Sequence, residues 1–362
     1  MGFEAFIGNA QAVETVRRML AQERVPGALL FTGPEGVGKK TLAVMLAKAV
    51  NCERRLPGES DFCGQCAACL RVEEMLAAAA ADAERRREMK EAGRRVESLS
   101  YFDVQFIEPL TRYILTEQVR ELRAVAYALP FELRRRVFIV DPASALHWQA
   151  VDFLLKVMEE PPATSLLILL STHAPEVRVT LRSRAVQVAL KPVEENILRQ
   201  VAADEGRRAP AELRLALRVA AGSVGRLKTF DAAAYTAQRR PWLELLEALA
   251  SEKTSGAQSV AWGKLFEATR ALAENRAQLK ATLGLGASLC HDLLSVLNGN
   301  PAQVVNVDLE GRLARWAEGL GYDGIRKLAY ALEETHRLET RNVNPALGLE
   351  AVATEIVTRP RA

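Results

Sequence analysis

Residues 33–41 read Gly33-Pro-Glu-Gly-Val-Gly-Lys-Lys-Thr41, set between Gly27-Ala-Leu-Leu-Phe-Thr32 and Thr41-Leu-Ala-Val-Met-Leu-Ala-Lys-Ala-Val50. The first flank is a short apolar run suited to a buried parallel strand. The second is rich in good helix formers and carries an apolar face. Strand, glycine loop and helix in this order make the setting of a phosphate-binding loop, G-x-x-x-x-G-K-[ST]. In that loop backbone N–H groups cradle phosphate, a lysine meets the β/γ-phosphates, and a hydroxyl meets Mg²⁺. Gly33, Gly36, Gly38 and Lys39 supply the glycines and the lysine. The hydroxyl position holds Lys40, and Thr41 follows one residue late, a rotation of about 100° on a helix. The loop is therefore equipped to meet phosphate but poorly equipped to hold the metal needed for hydrolysis.

Outward from the loop, strand and helix patterns alternate. Val104-Gln-Phe-Ile107 reads as a strand, and Thr116 to Leu129 as a helix with Thr116 at its N-cap. Arg136-Val-Phe-Ile-Val-Asp141 reads as a buried strand ending in a carboxylate, the shape of the second ATPase motif, in which the aspartate supports Mg²⁺. The glutamate that would follow as general base is replaced by Pro142. A helix from about Ala145 to Glu159 is stopped by Pro161 and Pro162. Leu166 to Thr172 and residues 186–190 read as further strands. The alternation predicts an α/β domain with a parallel, doubly wound sheet and ligands at the strand C-terminal ends.

Four of the five cysteines lie close together as Cys52-x10-Cys63-x2-Cys66-x2-Cys69. Clustered cysteines in a reducing compartment more often mean metal than disulfides. Four sulfur ligands, with Gly64 easing the turn, suit tetrahedral Zn²⁺ in a closed, structural site. An iron–sulfur cluster and unligated thiols are the other readings. Cys290, alone in an apolar stretch, reads as a core thiol. His147, His173, His291 and His336 have no ligand spacing. Residues 72–100, alanine-rich and charged, read as a long solvated helix projecting from the metal module.

At 362 residues, two or three domains are expected. A net charge of +3 is too small to argue for nucleic acid by itself, and clusters such as Arg85–Arg87 are more often solvated faces. No apolar run of about twenty residues is present and the N-terminus lacks a signal-peptide pattern, so a cytoplasmic, membrane-free protein is expected. The divisions read from the sequence are residues 1–190 for the α/β domain with a metal module at about 51–100, 191–235 for a small helical domain, and 236–362 for an all-helical domain. Gln238-Arg-Arg-Pro241 reads as a basic, polar stretch that follows the small helical domain.

These landmarks coincide in order with one family. The phosphate loop, the cysteine insertion, the strand ending at Asp141, Leu154-Leu-Lys-Val-Met-Glu-Glu-Pro-Pro162 and Leu181-Arg-Ser-Arg184 resemble the clamp-loader subunits of bacterial DNA polymerase III. Those subunits have an AAA+ fold related to replication factor C. The resemblance implies an AAA+ domain with a four-cysteine zinc insertion, a helical lid and an all-α collar that closes a hetero-pentameric ring. Lys40 and Pro142 resemble the delta-prime type rather than the ATP-hydrolysing tau/gamma motor, as do His291-Asp-Leu-Leu294, Asn306-x-Asp308 and Asn342-Val-Asn-Pro-Ala-Leu347.

The family's Ser-Arg-Cys motif reads Ser183-Arg184-Ala185, so the resemblance makes Arg184 a finger reaching the neighbouring subunit's ATP. Gly222-Ser-Val-Gly-Arg226 places the lid arginine one residue late, and the family's His-Pro-Asp reads Tyr101-Phe102-Asp103. The implied partners are tau/gamma and delta subunits, with the sliding clamp and primer-template DNA met through the complex. ATP or ADP is either held without hydrolysis by the degenerate loop or not held at all. An active tau/gamma-type motor and a zinc-stabilised DNA-binding protein are the competing readings.

Overall fold

The computed structural model describes residues 2–93, 102–205, 209–254, 262–274, 278–338 and 345–358. The chain divides into two compact units, Met1–Val201 with Gly222–Arg226, and Ala202–Ala221 with Leu227–Ala362. No helix among the described residues is long and apolar enough to cross a membrane.

The first unit is built on five parallel strands: β1 (Ala28–Thr32), β2 (Val104–Ile107), β3 (Arg136–Val140), β4 (Ser165–Ser171) and β5 (Val186–Ala189). Their order is β2-β3-β4-β1-β5, with Leu30 opposite Leu169 and Phe138 opposite Leu167. β1, β3 and β4 are buried along their whole length, because side chains of opposite parity feed two different cores. Leu29, Phe31, Val137, Ile139 and Ile168 pack with Val16 and Leu20 of α1 (Ala10–Ala21) and Leu42 and Leu46 of α2 (Lys39–Asn51). Leu30, Phe138, Val140, Leu167 and Leu169 pack with Leu122 of α4 (Thr116–Ala126) and Leu154 of α5 (Trp148–Glu159). Each such buried side chain stabilises the unit by roughly 1.5–3 kcal/mol. The result is the three-layer parallel arrangement expected from the alternation.

Two local expectations need correction. The charged helix does not project into solvent. α3 (Ala67–Glu91) starts directly after Cys66 and buries Cys69, Val72, Met75, Leu76 and Ala79. It packs on α2 and on β2, the edge strand. Arg86 is buried and donates to Glu121 Oε2 of α4 at 3.4 Å. Alanine on both faces erased the 3.6-residue pattern that would have marked a buried side, while its small side chain permits close packing. Residues 94–100 and Tyr101 lie outside the described residues. In α4, Thr116 is the first helical residue, not the cap. Leu115 takes the N-cap, and its N–H donates to Gln118 Oε1 at 2.9 Å.

After α6 (Val179–Arg182) and β5 come α7 (Glu195–Glu205), α8 (Pro210–Ala220) and α9 (Val224–Thr229). The second unit then adds α10 (Ala232–Thr254), α11 (Trp262–Ala273), α12 (Leu279–Leu297), α13 (Glu310–Leu338) and α14 (Pro345–Thr358). α13 is bent at Gly321, where φ is 63°. The second unit's core joins Trp242, Leu245, Leu249, Leu293, Trp316 and Leu328, and Cys290 is buried within it.

The basic, polar stretch Gln238-Arg-Arg-Pro241 lies within α10. Arg239 is buried there and donates to Asn306 Oδ1 at 2.7 Å and Asp308 Oδ1 at 3.0 Å. Tyr235 Oη donates to the same Asn306 oxygen at 2.8 Å, and Asp292 accepts the Asn306 N–H at 2.8 Å. A buried cation needs such partners, and they come from residues about seventy positions away, invisible to a local reading. Asn342 to Asn344 lie outside the described residues.

Candidate phosphate loop and metal centre

The loop of residues 33–38 lies at the C-terminal end of β1 and leads into α2, with Gly33, Gly36 and Gly38 all at positive φ. At Gly36 a Cβ would meet Ser223 Oγ at 2.4 Å, and at Gly33 the Leu190 carbonyl at 2.3 Å. Both positions therefore demand glycine for space as well as for backbone. Gly225 N–H donates to the Gly36 carbonyl at 2.9 Å, so the Gly222–Arg226 segment closes on the loop. Arg226 Nη2 pairs with Glu35 Oε2 of the loop at 3.1 Å.

Lys39 is buried at the start of α2, and its ammonium donates to the Gly33 carbonyl at 2.5 Å and the Pro34 carbonyl at 2.8 Å. Burial holds its pKa below the usual lysine value, against the pull of Asp141, Glu35 and Glu176. Lys40 points elsewhere: its ammonium pairs with Glu108 Oε1 at 3.0 Å and stands 3.9 Å over the Phe106 ring. Glu108 is also held by Arg87 of α3 at 2.7 Å. Thr41 is exposed and lines a groove of about 810 Å³ between α2 and α3, together with Val44, Met45 and Ala80. The threonine hydroxyl and the lysine that displaced it thus both belong to the α3 side of α2.

Asp141 follows β3, half-buried. Burial pushes its carboxyl above the ordinary aspartate value, opposed by the Lys40 and Lys39 cations. Pro142 follows it without a carboxylate. Beyond β4, Glu176 accepts from Ser171 Oγ at 3.2 Å and from the Thr172 hydroxyl, so the hydroxyls ending that strand are spoken for.

Arg184 follows α6. Its Nη2 pairs with Glu159 Oε1 at 2.8 Å, and Nη1 donates to the Thr180 carbonyl at 3.1 Å. Glu108 and Glu159 are the charged neighbours that motif reading underrated. Glu108 had a usable signal, a carboxylate directly after a buried strand, the same placement as Asp141. Arg87 had none, being one arginine in a run of three.

The four cysteines converge. The Sγ atoms of Cys52, Cys63, Cys66 and Cys69 all lie within 4.8 Å of one another. Cys52 and Cys63 are 3.7 Å apart, and Cys52 and Cys66 3.9 Å. Tetrahedral sulfurs at the usual Zn–S length stand about 3.8 Å apart, so the donor set fits zinc. Backbone N–H groups of Gln65 and Cys66 donate to Cys63 Sγ at 3.4 and 3.3 Å, as thiolate ligands require. The Gln65 bond is the leading cause of a lowered Cys63 pKa. For Cys66, burial works upward, but the N–H groups of Cys69 and Glu53 and the neighbouring thiols bring it to about 6. Burial raises Cys69. Gly64, at φ 69°, makes the turn between the first two ligands of the knuckle. Residue 52 ends α2 and Cys69 lies in the first turn of α3, so a metal held by the four thiols would tie these two helices together.

A family model described as "DNA polymerase III, delta subunit" matches residues 8–194. The chain belongs to this family. It is 27% identical over 198 residues to DNA polymerase III subunit gamma/tau of Mycoplasma pneumoniae, covering 55% of this chain and 25% of that protein. It is 29% identical over 191 residues to subunit tau of Bacillus subtilis, covering 53% and 29%. The chain spans a quarter to under half of the length of the curated relatives it matches. A solved gamma subunit-related protein of Thermotoga maritima superposes with TM-score 0.49 at 16% identity, over 97% of this chain and 100% of that one. The matched family region, 8–194, contains the phosphate loop, the cysteine centre, Asp141 and Arg184.

Proposed function

We propose that the chain is a delta-prime-type subunit of the DNA polymerase III clamp loader, a member of the AAA+ ring that does not itself hydrolyse ATP. It helps load the sliding clamp onto primer-template DNA alongside tau/gamma and delta subunits in a hetero-pentameric ring. Arg184 is its contribution to a neighbour's ATP. A guanidinium placed there stabilises charge developing on the transferring phosphoryl group, an effect worth roughly 10³–10⁵ in rate for such fingers as a class. The helical second unit serves as collar, and the Cys52, Cys63, Cys66 and Cys69 centre holds a structural Zn²⁺.

The observation that carries the reading is the fate of the metal-binding hydroxyl. Lys40 occupies its position and is committed to Glu108, while Thr41 faces the α2–α3 groove. Pro142 independently removes the general base. A motor subunit would need both losses compensated. The named relatives are tau and gamma proteins, which makes the motor the reading to exclude.

The test is clamp- and DNA-stimulated ATPase of the reconstituted loader with the wild-type chain against Arg184→Ala. A loss of two orders of magnitude or more at the adjacent site, with the ring assembled, is expected. No loss in an assembled ring refutes the finger, and failure of the wild-type chain to enter the ring refutes the clamp-loader role. Mg²⁺-dependent hydrolysis by the isolated chain, abolished by Lys39→Ala, would favour the motor.

A further inference from the structure

Arg184 already has a carboxylate partner in its own chain. The pair is 2.8 Å long, with the arginine side chain 38% and the glutamate side chain 48% exposed. Glu159 is the last residue of α5, so the carboxylate that Arg184 meets stands at the helix's negative end, where a nearby cation is favoured. That end of α5 is held firmly. Tyr127 Oη donates to the Lys156 carbonyl at 3.3 Å. Pro161 sits so close to Gly27 that a Cβ there would fall 2.4 Å from the proline ring. Arg184, by contrast, lies just beyond the four-residue α6, and its side chain otherwise donates, among the described residues, to the Thr180 carbonyl and Ser183 Oγ.

A fixed acceptor and a half-exposed donor on a short element make a parking place rather than a structural staple. Surface ion pairs of this exposure bias a side chain by no more than about fivefold. That is enough to favour the parked position when nothing else is offered. It is too little to resist a triphosphate, which carries several negative charges and accepts bidentate arginine hydrogen bonds.

We propose that Glu159 is a positioning residue that latches Arg184 to its own subunit until a neighbouring subunit's nucleotide competes for the guanidinium. The proposal rests on the reading of Arg184 given above. Until clamp and DNA bring the neighbouring site's triphosphate within reach of the guanidinium, the finger is withheld, so Glu159 suppresses the unstimulated rate. Glutamine at 159 keeps the shape and a hydrogen-bond acceptor but removes the charge, which weakens the latch without emptying it.

The experiment uses the reconstituted loader carrying wild-type chain, Glu159→Gln, Arg184→Ala or both, with ATPase measured without and with clamp and primed DNA. Glu159→Gln is expected to raise the unstimulated rate two- to fivefold, to change the stimulated rate less, and to leave the chain's thermal midpoint unchanged. In the Arg184→Ala background the same substitution is expected to do nothing. An unchanged or lower unstimulated rate with Glu159→Gln, while Arg184→Ala still reduces hydrolysis, overturns the latch and leaves the finger standing. An equal rise in the Arg184→Ala background also overturns it, since Glu159 would then act through another group. If Arg184→Ala has no effect, the finger and the latch fall together.

Discussion

Replacing Asp103 by asparagine tests how the sheet that carries the phosphate loop is fastened. Its carboxylate is buried just before β2 and accepts the N–H groups of Phe131 at 2.9 Å, Glu132 at 2.7 Å and Leu133 at 3.0 Å. It also pairs with Arg136 Nε at 3.1 Å, with both side chains buried. Breaking a buried pair by neutralising one member costs about 3–5 kcal/mol. The lower end applies here, because Arg136 keeps the Val125 and Leu129 carbonyls at 2.6 and 2.8 Å. About 3 kcal/mol corresponds to roughly a hundredfold larger opening constant. The chain has two units, so global unfolding need not be two-state, and hydrogen exchange at β2 and β3 amides is the appropriate assay.

The pH dependence supplies a second readout. Burial alone would raise the Asp103 pKa, but the three N–H groups and Arg136 outweigh it and the folded value is lowered. A lowered carboxyl contributes stability above the unfolded value of about 4, lost as pH falls through the folded value. Wild-type protection at β3 should therefore drop below about pH 4, and the asparagine variant should lack that component. A destabilisation under about 1 kcal/mol, or an unchanged acid slope, would refute the reasoning.

Three further outcomes are expected. Metal analysis should find one zinc per chain, and Cys69→Ser or a strong chelator should remove it and lower the thermal midpoint of the first unit; because the thiolate ligands must be deprotonated, zinc should also leave as pH falls. The isolated chain should hydrolyse ATP no faster with Lys39 than with Lys39→Ala, while that substitution strips partners from the Gly33 and Pro34 carbonyls and costs about 1–2 kcal/mol in stability. In the second unit Arg239→Met should cost about 2–4 kcal/mol, read from exchange in α10 and α12, because it leaves Asn306 and Asp308 without their buried cation; an effect below about 1 kcal/mol would mean the network contributes little.

Sequence reading reached the parallel sheet because its signals are local and repeated. β1, β3 and β4 each contain an uninterrupted run of four or five apolar residues, and each is followed by a loop whose residues declare their chemistry. The cysteine centre was legible for the same reason: spacing sets which thiols can meet. What escaped depends on distant partners. Nothing in Arg239 itself says that it is buried, since the residues that make this tolerable are Asn306 and Asp308. The face of α3 that docks is hidden by alanine, which suits either side of a helix. Lys40 announced a missing hydroxyl, but not that Glu108, itself held by Arg87 of α3, would draw its ammonium to that side of α2.

That last contact joins the insertion to the loop. Glu108 sits directly after β2, close enough to Asp141 to oppose its ionisation, and receives cations from two helices. Lys40 arrives from the loop helix and Arg87 from the helix that follows the cysteines. The cysteine cluster brings the start of α3 to the end of α2, and the Glu108 cluster joins their opposite ends. The two helices thus meet at both ends, with the groove between them. Within the loop, the Lys39 ammonium and the Gly36 carbonyl are matched by partners from the chain itself. Under the proposed function, these internal partners suit a subunit that holds geometry while its neighbours cycle through ATP.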